Sequence, residues 1–326
     1  MLRQALLAAS RNERAETVVR ASPAARALAS RYVAGESPGD AVRVAAEVAA
    51  YGLRIAVGRV GGEAPGRVGG ETPGRVGGET PGRVGGEATE RVGGEASESA
   101  CLALVEGLAA AGIAKGADVT VRLSALGLRG SERAARDRAA RICAAADEAG
   151  ATVTLAAEEY PLTEPALSVL GELRERHPSA GVVVPARLRQ AEEYCRTLAG
   201  PGSRVVLCKG GDGAPEVLAF TSRTDVDRSF ARCLRVLMAG RGRPAIATAD
   251  RRLLDVAAAL AALNEREPGG FEYRLPYGVR PGERRRLTGQ GATVRIFVPY
   301  GVDWYPYVVR RVAEDPAGAL LSALGR

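Results

Sequence analysis

The sequence has few aromatic residues, no closely paired cysteines and no long hydrophobic run. Aromatic residues make up 4% of the chain, whereas hydrophobic residues in total make up 46%. A buried core must therefore consist mostly of alanine, valine and leucine. The five cysteines form no C-x-x-C pair and their number is odd. This pattern argues against a zinc site and against a disulfide framework, so we expect reduced, buried thiols.

The sequence also lacks the patterns typical of a secretion signal and of a transmembrane helix. Residues 1–16 contain no apolar core that ends in a cleavage site. No window of the chain approaches the roughly 18 apolar residues that a transmembrane helix needs. We therefore expect a cytoplasmic protein without a transmembrane segment. Peripheral contact with the inner face of a membrane stays open.

Arginine supplies nearly all of the positive charge. The net charge is +7, and Lys115 and Lys209 are the only lysines. A basic chain can bind nucleic acid. Here, however, the arginines are scattered among glutamates and aspartates, which is typical of solvated helix faces. We expect no nucleic-acid partner.

Residues 58–97 repeat with a period of eight, in units such as GRVGGETP. Each unit contains one valine as its only sizeable apolar side chain, and glycine loses more backbone freedom on folding than any other residue. The repeat therefore predicts a low-complexity, disordered insertion. A glycine-rich phosphate-binding loop and a short β-solenoid are the alternatives.

Outside the repeat, short apolar runs alternate with longer amphipathic stretches. We predict strands at 53–57, 119–123, 152–156, 181–184, 204–208, 245–248, 271–275 and 294–298. We predict helices at 98–113, 132–149, 163–176, 187–199, 225–239, 250–263, 282–290, 304–313 and 316–324. This alternation implies parallel pairing, and eight units favour a closed, TIM-like (β/α)8 barrel over 51–326 rather than an open doubly wound sheet. Residues 1–50 would form N-terminal helices outside the barrel.

The chemistry of such barrels lies at the carboxyl ends of the strands. The side chains predicted there are Arg122, Glu158, Glu159, Arg187, Lys209, Thr248, Asp250, Arg274, Tyr277 and Tyr300. His177, the only histidine, precedes the fourth strand and is expected on the opposite face. This placement excludes a Ser/His or Cys/His catalytic pair and a histidine-containing metal site. The cationic mouth suits an anionic ligand, either a carboxylate or a phosphate-bearing cofactor.

Six segments resemble, in order along the chain, sequences of the proline dehydrogenase family. The strongest is VRIFVPYGVDWYPYVVRRVAEDPAGAL at 294–320, which resembles the C-terminal signature of the family. The others are RYVAGES at 31–37, VTVRLSALG at 119–127, RVVLCKGG at 204–211, GRPAIATAD at 242–250 and FEYRLPYGVRP at 271–281. The sequence thus resembles a divergent member of the bacterial monofunctional type.

The resemblance implies a distorted (β/α)8 barrel that holds FAD and oxidises L-proline, or a related cyclic amino acid, to 1-pyrroline-5-carboxylate in proline catabolism. In this family a hydride leaves the ring carbon beside the nitrogen and reaches the flavin. A quinone-type acceptor at a membrane then takes the electrons.

The resemblance also implies roles for individual residues. Arg310 and Arg311 match the pair that clamps the substrate carboxylate, and guanidinium forks suit that task. Tyr277 and Tyr305 match tyrosines near the substrate, although core packing explains either equally well. The positions that match cofactor contacts are Lys209, Gly210, Gly211, Thr248, Ala249 and Arg187.

Several of these positions are changed relative to the family. Arg122 replaces a substrate-side lysine and is a candidate catalytic residue. Val206 replaces a flavin-side arginine; Arg204, on the same face of the strand but roughly 7 Å away, is the candidate substitute. Ala249 stands in place of a histidine and Arg187 in place of a tyrosine. Pro185 replaces a glutamine that contacts the flavin. These changes leave an alternative, a catalytically impaired member that acts as an amino-acid-binding or regulatory barrel.

Overall fold

Eight parallel strands close into one barrel in the order of the sequence. In the computed structural model, residues 22–61, 84–210 and 214–314 are described, together with Glu16 and Val19. Every strand pairs with its sequence neighbour, and β8 closes the barrel on β1. The strands are β1 Arg54–Arg59, β2 Asp118–Val121, β3 Thr152–Leu155, β4 Gly181–Pro185, β5 Arg204–Cys208, β6 Ala245–Ala247, β7 Glu272–Pro276 and β8 Val294–Tyr300. The predicted (β/α)8 barrel is confirmed, and the open sheet is wrong.

The helices follow the strands as a (β/α)8 barrel requires. They are α1 Pro23–Ala29, α2 Pro38–Ala50, α3 Val84–Ala110, α4 Glu132–Glu148, α5 Thr163–Arg176, α6 Ala191–Leu198, α7 Arg223–Ala239, α8 Arg251–Leu263, α9 Pro281–Gly289 and α10 Trp304–Glu314. The first two precede β1, and α3 to α10 each follow one strand. The predicted helix at 316–324 lies outside the described residues.

The helix α4 shows how the sequence encodes these elements. Ser131 caps it by accepting a hydrogen bond from the Ala134 amide. Ala139 and Ile142 lie on its buried face, three residues apart, as the apolar periodicity predicts. Gly150 follows the helix with a φ of +74°, a left-handed conformation that commonly ends a helix.

Each strand divides its side chains between two environments. Apolar residues such as Val57, Val119 and Leu207 are buried in the main core cluster, which also contains buried residues of the helices. The alternate residues point into the barrel, where several are polar. Asp118, for example, accepts hydrogen bonds from Arg274 at 2.9 Å and from Thr154 at 2.8 Å. Because these residues belong to β2, β7 and β3, only the barrel interior can bring them together.

The two ends of the octapeptide repeat belong to the barrel. The strand β1 continues through Arg59, and α3 already begins at Val84. Within α3, Gly94 packs against α4 and the turn that precedes it, so that a Cβ atom there would come within 2.8 Å of the Leu126 carbonyl oxygen and the Arg138 guanidinium. The predicted insertion, 58–97, is therefore too long at both ends. Residues 62–83 lie outside the described part, and disorder there stays a prediction.

A second, smaller apolar cluster joins the N-terminal segment to the last helix. Its buried members are Ala29, Tyr32, Val33, Trp304, Tyr305 and Val308. The backbone amide of Ala34 also donates to the Pro299 carbonyl at 2.8 Å, next to the end of β8. These contacts hold the segment after α1 against β8 and α10, beside the mouth of the barrel.

Candidate active site

A pocket of about 470 Å³ lies at the carboxyl ends of β4 to β7. It is lined by Tyr32, Arg187, Lys209, Gly210, Thr221, Arg223, Val226, Asp227, Thr248, Ala249, Asp250, Arg252, Gly278, Val279, Arg280, Pro281, Arg311 and Ala313. We call it the mouth pocket. Six residues that the resemblance selected meet here: Arg187, Lys209, Gly210, Thr248, Ala249 and Arg311. A seventh, Gly211, lies outside the described residues.

Lys209 follows β5 and contacts two carboxylates at the pocket wall. Its Nζ lies 2.6 Å from Oδ1 of Asp227 and 3.0 Å from Oδ2 of Asp250. Arg252 approaches the same Asp250 oxygen at 3.5 Å. Burial acts to raise the pKa of Asp250, but the hydrogen bonds and charges of Lys209 and Arg252 outweigh it and lower the pKa to about 2. Asp250 is therefore ionised at neutral pH and fixes the position of the lysine.

The turn after β6 is held by three hydrogen bonds. The Thr248 hydroxyl, which is buried, accepts from the Asp250 amide at 3.1 Å. Asp250 in turn caps α8 by accepting from the Arg252 amide at 3.2 Å. The carbonyl oxygen of Ala249 accepts from Arg280 at 2.9 Å. Thr248 and Ala249 are thus presented to the pocket by a fixed turn.

The tips of β4 and β5 are locked to each other. The Arg187 amide donates to the Lys209 carbonyl at 3.0 Å, and the Arg187 guanidinium donates to the Phe220 carbonyl at 3.0 Å. Gly210 has a φ of +89°, and a Cβ atom there would lie 2.7 Å from Cβ of Pro185. Only glycine fits this position without strain. Pro185, which stands where the family has a glutamine, therefore packs directly against the turn after β5.

Arg311 extends from α10 to the mouth pocket. Its guanidinium carbon lies 5.4 Å from the centre of the Tyr307 ring, one helical turn earlier. This spacing places both side chains on one face of α10, where a cation–π contact can orient the arginine. Arg310 is half-buried and does not line the pocket. The structure therefore separates the two members of the predicted carboxylate clamp.

The two predicted tyrosines fit the packing alternative. Tyr305 is only 2% exposed and lies in the smaller apolar cluster, with its ring 6.4 Å from the ring of Trp304. Tyr277 is half-buried and packs against the main core; burial is the main cause that raises its pKa. Neither tyrosine lines the mouth pocket.

Arg122 lies at the tips of β2 and β3, outside the lining of the mouth pocket. It donates to the Ala157 carbonyl at 3.0 Å, and its guanidinium approaches Glu158 at 3.9 Å. Glu158 is held in turn because it accepts from the Ser124 amide at 3.0 Å. The pair forms a second polar site at the same end of the barrel, and its catalytic role stays a prediction.

The expectation that Arg204 substitutes at the mouth is wrong. Arg204 is the first residue of β5, so it lies at the amino end of the barrel. Its guanidinium contacts Oδ1 of Asp118 at 3.2 Å, far from the strand tips. Arg274, also expected near the mouth, is buried in the barrel interior on Oδ2 of Asp118. Both arginines balance a buried carboxylate, so neither is available to a ligand at the mouth.

The sequence patterns did not indicate several residues of the mouth pocket. Asp227 and Arg223 are four residues apart on α7, and this spacing could have indicated a shared face. Tyr32 and Arg280 stand within segments that resemble the family, RYVAGES and FEYRLPYGVRP, but carried no assigned role. The missing information was the direction of each side chain, which strand order alone does not give.

The charge balance of the lining determines what the mouth pocket can bind. Six lining side chains are cationic, namely Arg187, Lys209, Arg223, Arg252, Arg280 and Arg311, and two are carboxylates, Asp227 and Asp250. This excess of positive charge fits the diphosphate of a dinucleotide such as FAD, because guanidinium groups bind phosphate oxygens bidentately. The close approach at Gly210 presents backbone rather than a side chain to such a ligand. The residues present therefore fit a flavin dinucleotide.

Fold and site together define an α/β barrel with a cation-rich pocket at its mouth. The family model "Proline dehydrogenase" matches residues 211–320. Proline dehydrogenase 1 of Bacillus subtilis is 29% identical over 202 residues, which cover 62% of this chain and 67% of that protein. Proline dehydrogenase of Deinococcus radiodurans is 28% identical over 232 residues, which cover 69% of this chain and 73% of that protein. On these matches the chain is similar to proline dehydrogenases over about two thirds of its length.

Solved structures support the fold. The chain superposes on proline utilization A from Bdellovibrio bacteriovorus, inactivated by N-propargylglycine, with a TM-score of 0.74 and 20% identity. The match covers 90% of this chain but 33% of that structure's chain. A proline utilization A mutant from Bradyrhizobium japonicum matches with a TM-score of 0.65 and 17% identity. The chain thus spans about a third of the length of these structures.

None of the helices in the described ranges has the length and hydropathy needed to cross a lipid bilayer. All five cysteines carry free thiols. The histidine lies away from the mouth, as predicted, with Nδ1 of His177 2.7 Å from Oδ2 of Asp147 near the end of α4.

Proposed function

We propose that this barrel is an FAD-dependent oxidoreductase that converts L-proline, or a related cyclic amino acid, to 1-pyrroline-5-carboxylate. The observation that carries the proposal is the meeting of Arg311 with the cationic turn after β5 in one pocket. The first matches a carboxylate-binding position and the second a flavin-binding position of the family. The homologues named proline dehydrogenase support the same reaction.

Arg311 is the residue that would bind the substrate carboxylate. A guanidinium forms two parallel hydrogen bonds with a carboxylate, which fixes both the position and the orientation of the substrate. The Tyr307 ring 5.4 Å away restrains this arginine before the substrate arrives. A restrained arginine loses less side-chain entropy when it binds, so the geometry favours tight and oriented binding.

The opposite side of the pocket would hold the cofactor. Arg187, Arg223, Arg252 and Arg280 provide donors for the diphosphate, and Lys209 adds a cation that Asp227 and Asp250 keep in place. Bound FAD supplies the hydride acceptor that no side chain of the protein can replace. The residues of the chain contribute binding, orientation and charge.

The electron acceptor and the location follow from the family resemblance. A quinone-type acceptor would take the electrons, and the enzyme would work in the cytoplasm, with access to the inner face of a membrane. The cation-rich surface is compatible with such a contact, because positive side chains are attracted to anionic lipid headgroups.

The visible spectrum of the purified protein tests the proposal. We expect a yellow flavin band that bleaches when L-proline is added without oxygen. The double variant Arg223→Glu, Arg252→Glu should bind FAD at least about tenfold more weakly, because it inverts two charges of the pocket lining. The matched control Arg235→Glu, Arg285→Glu makes the same charge change at exposed positions away from the pocket, so its FAD affinity should stay unchanged.

Three outcomes separate the alternatives. A colourless protein that does not take up added FAD would overturn the redox proposal, and retained proline binding would then favour the amino-acid-binding barrel. A flavin band that other cyclic amino acids bleach and L-proline does not would assign a different substrate to the same chemistry. Equal loss of FAD affinity in the two double variants would contradict the assignment of the cofactor to the mouth pocket.

A further inference from the structure

The barrel has a second cavity at its amino end, opposite the mouth pocket. Its volume is about 950 Å³. The first residues of several strands form its floor, among them Arg54 of β1, Thr152 of β3, Arg204 of β5 and Glu272 of β7. We call this cavity the floor bowl. Ordinary ligand pockets have volumes between about 300 and 1,000 Å³, so the bowl is large enough for an organic molecule.

The lining of the floor bowl is strongly cationic. Its lining includes Arg54, Lys115, Arg204, Arg243 and Arg295, against the single carboxylate of Glu272. Arg295 already binds Glu272 through two nitrogen atoms, at 2.5 and 3.0 Å. Arg204 binds Asp118 below the floor. Each of these carboxylates therefore already has a largely buried arginine as a partner.

Lys115 and Arg243 form the part of the rim that can receive a ligand. Both side chains are exposed, and no carboxylate among the described residues forms an ion pair with either one. Arg54 is also half exposed, with 52% of its side chain accessible, and lies 3.5 Å from Glu272. The rim thus offers two uncompensated charges above a floor that is itself positive.

The floor bowl also has apolar side chains in its lining. Leu53, Ile113 and Phe271 line it, and all three are only partly buried. The ring of Phe271 is fixed by an edge-on contact with Tyr273, with the ring centres 5.3 Å apart. A partly exposed aromatic ring in a cavity lined by cations suits a ligand with a flat, weakly polar part and an anionic part.

We propose that the floor bowl binds a small organic phosphate of nucleotide size, whose phosphates contact cations of the lining such as Lys115 and Arg243 and whose base contacts apolar side chains such as Phe271. Phosphate groups match guanidinium and ammonium donors, and the apolar side chains of the lining can contact the base. The volume exceeds what a single inorganic phosphate would fill. The site is separate from the mouth pocket because the hydrogen-bonded Asp118, Arg274 and Thr154 fill the barrel between them.

Calorimetric titration of the flavin-loaded protein with ATP and with pyrophosphate tests this proposal. We expect ATP to bind, and to bind at least tenfold more tightly than pyrophosphate because the base adds apolar contacts. The double variant Lys115→Glu, Arg243→Glu should lose at least tenfold in ATP affinity while it keeps its flavin content and its KM for L-proline. The matched control Arg235→Glu, Arg285→Glu should bind ATP like the parent protein.

Two further measurements locate the ligand. Hydrogen exchange should slow on ATP addition in residues 112–116 and 241–245, which border the bowl, and should stay unchanged in residues 248–252 at the mouth. The mouth variant Arg223→Glu, Arg252→Glu should bind ATP normally. Loss of ATP binding in that variant instead, protection confined to the mouth, or equal affinity for ATP and pyrophosphate would each overturn the proposal.

Discussion

The two ends of the barrel use arginine in opposite ways. In the barrel interior towards the amino end, Arg274 and Arg295 are 4% exposed, and their guanidinium groups are bound to carboxylates, carbonyls and a hydroxyl. At the mouth, the side chains of Arg223 and Arg252 are 72% and 76% exposed, and each lies more than 3.4 Å from its nearest carboxylate oxygen. The first group is part of the folded core, and the second is available to a ligand.

The interior and rim arginines show that one residue type can serve both stability and binding. A buried charge is costly unless it is paired and hydrogen-bonded, so the interior arginines are tied to Asp118 and Glu272. An exposed ion pair contributes little to stability. The side chains of the rim arginines can therefore move to bind a ligand. The interior arginines cannot give up their carboxylate partners without destabilising the fold.

The largest expected effect concerns the carboxylates at the two ends. Asp118→Asn leaves the charges of Arg204 and Arg274 buried without a counter-charge, and we expect it to lower the free energy of unfolding by about 3–5 kcal/mol. Asp250→Asn at the mouth keeps the helix cap of α8 and should cost less than about 1.5 kcal/mol. Urea unfolding of both variants measures the difference. Equal losses would contradict the distinction between the two ends.

A second comparison concerns arginine-to-lysine changes. Arg266 donates to five carbonyl oxygens around the end of α7, including those of Met238 and Gly242. Arg266→Lys removes most of these donors, and we expect a loss of about 2–3 kcal/mol in unfolding free energy. Arg252→Lys at the rim should change it by less than about 0.5 kcal/mol. A thermal melt that shows no difference between the two variants would refute this expectation.

The third prediction tests the mouth by function. Arg311→Lys replaces a bidentate donor by a point charge, and we expect KM for L-proline to rise about 10- to 100-fold, equivalent to about 1.5–3 kcal/mol. Arg310→Lys should raise KM by less, because Arg310 does not line the pocket. Steady-state kinetics of the two variants show whether one arginine or both bind the substrate carboxylate. An equal rise in KM in the two variants would indicate that both arginines bind it.

The last comparison concerns the dependence of stability on pH. The pKa of Asp118 is lowered, because its arginine neighbours outweigh the opposing effect of burial, and that of Asp250 is lowered to about 2. A lowered pKa contributes stability that is present above the ordinary value of 3.8 and is lost as the pH falls towards the folded value. Unfolding free energy should therefore fall as the pH drops from about 4 to 2. In Asp118→Asn this acid dependence should become shallower, and an unchanged slope would argue against the lowered pKa.

The barrel could be predicted from the sequence because its strands and helices carry strong periodic patterns. The strand at 204–208 and the helix at 163–176 are reproduced residue for residue. The predicted boundaries differ from the observed ones where the composition is unusual. The helix α3 begins earlier than predicted because its first turns consist of glycine-rich repeat units. There, packing of Gly94 against α4 outweighs the low helix propensity of glycine.

The site was only partly predictable, for a geometric reason. Strand order shows which end of the barrel a residue occupies, so Lys209 and Thr248 were placed correctly at the mouth. Strand order does not show which distant residue will bind a side chain. Arg204 binds Asp118, which is 86 residues away in sequence, and Tyr305 packs beside a segment near the start of the chain. Contacts of this kind arise only in the folded chain.

The contact of Gly94 with α4 has a consequence for how the gene can vary. In the last repeat unit, Gly94 packs closely against Leu126 and Arg138. The first unit is continuous with the strand β1. Neither anchorage depends on how many copies stand between them. Alleles that gain or lose whole octapeptides, as replication slippage generates, should thus leave the barrel and its mouth unaltered.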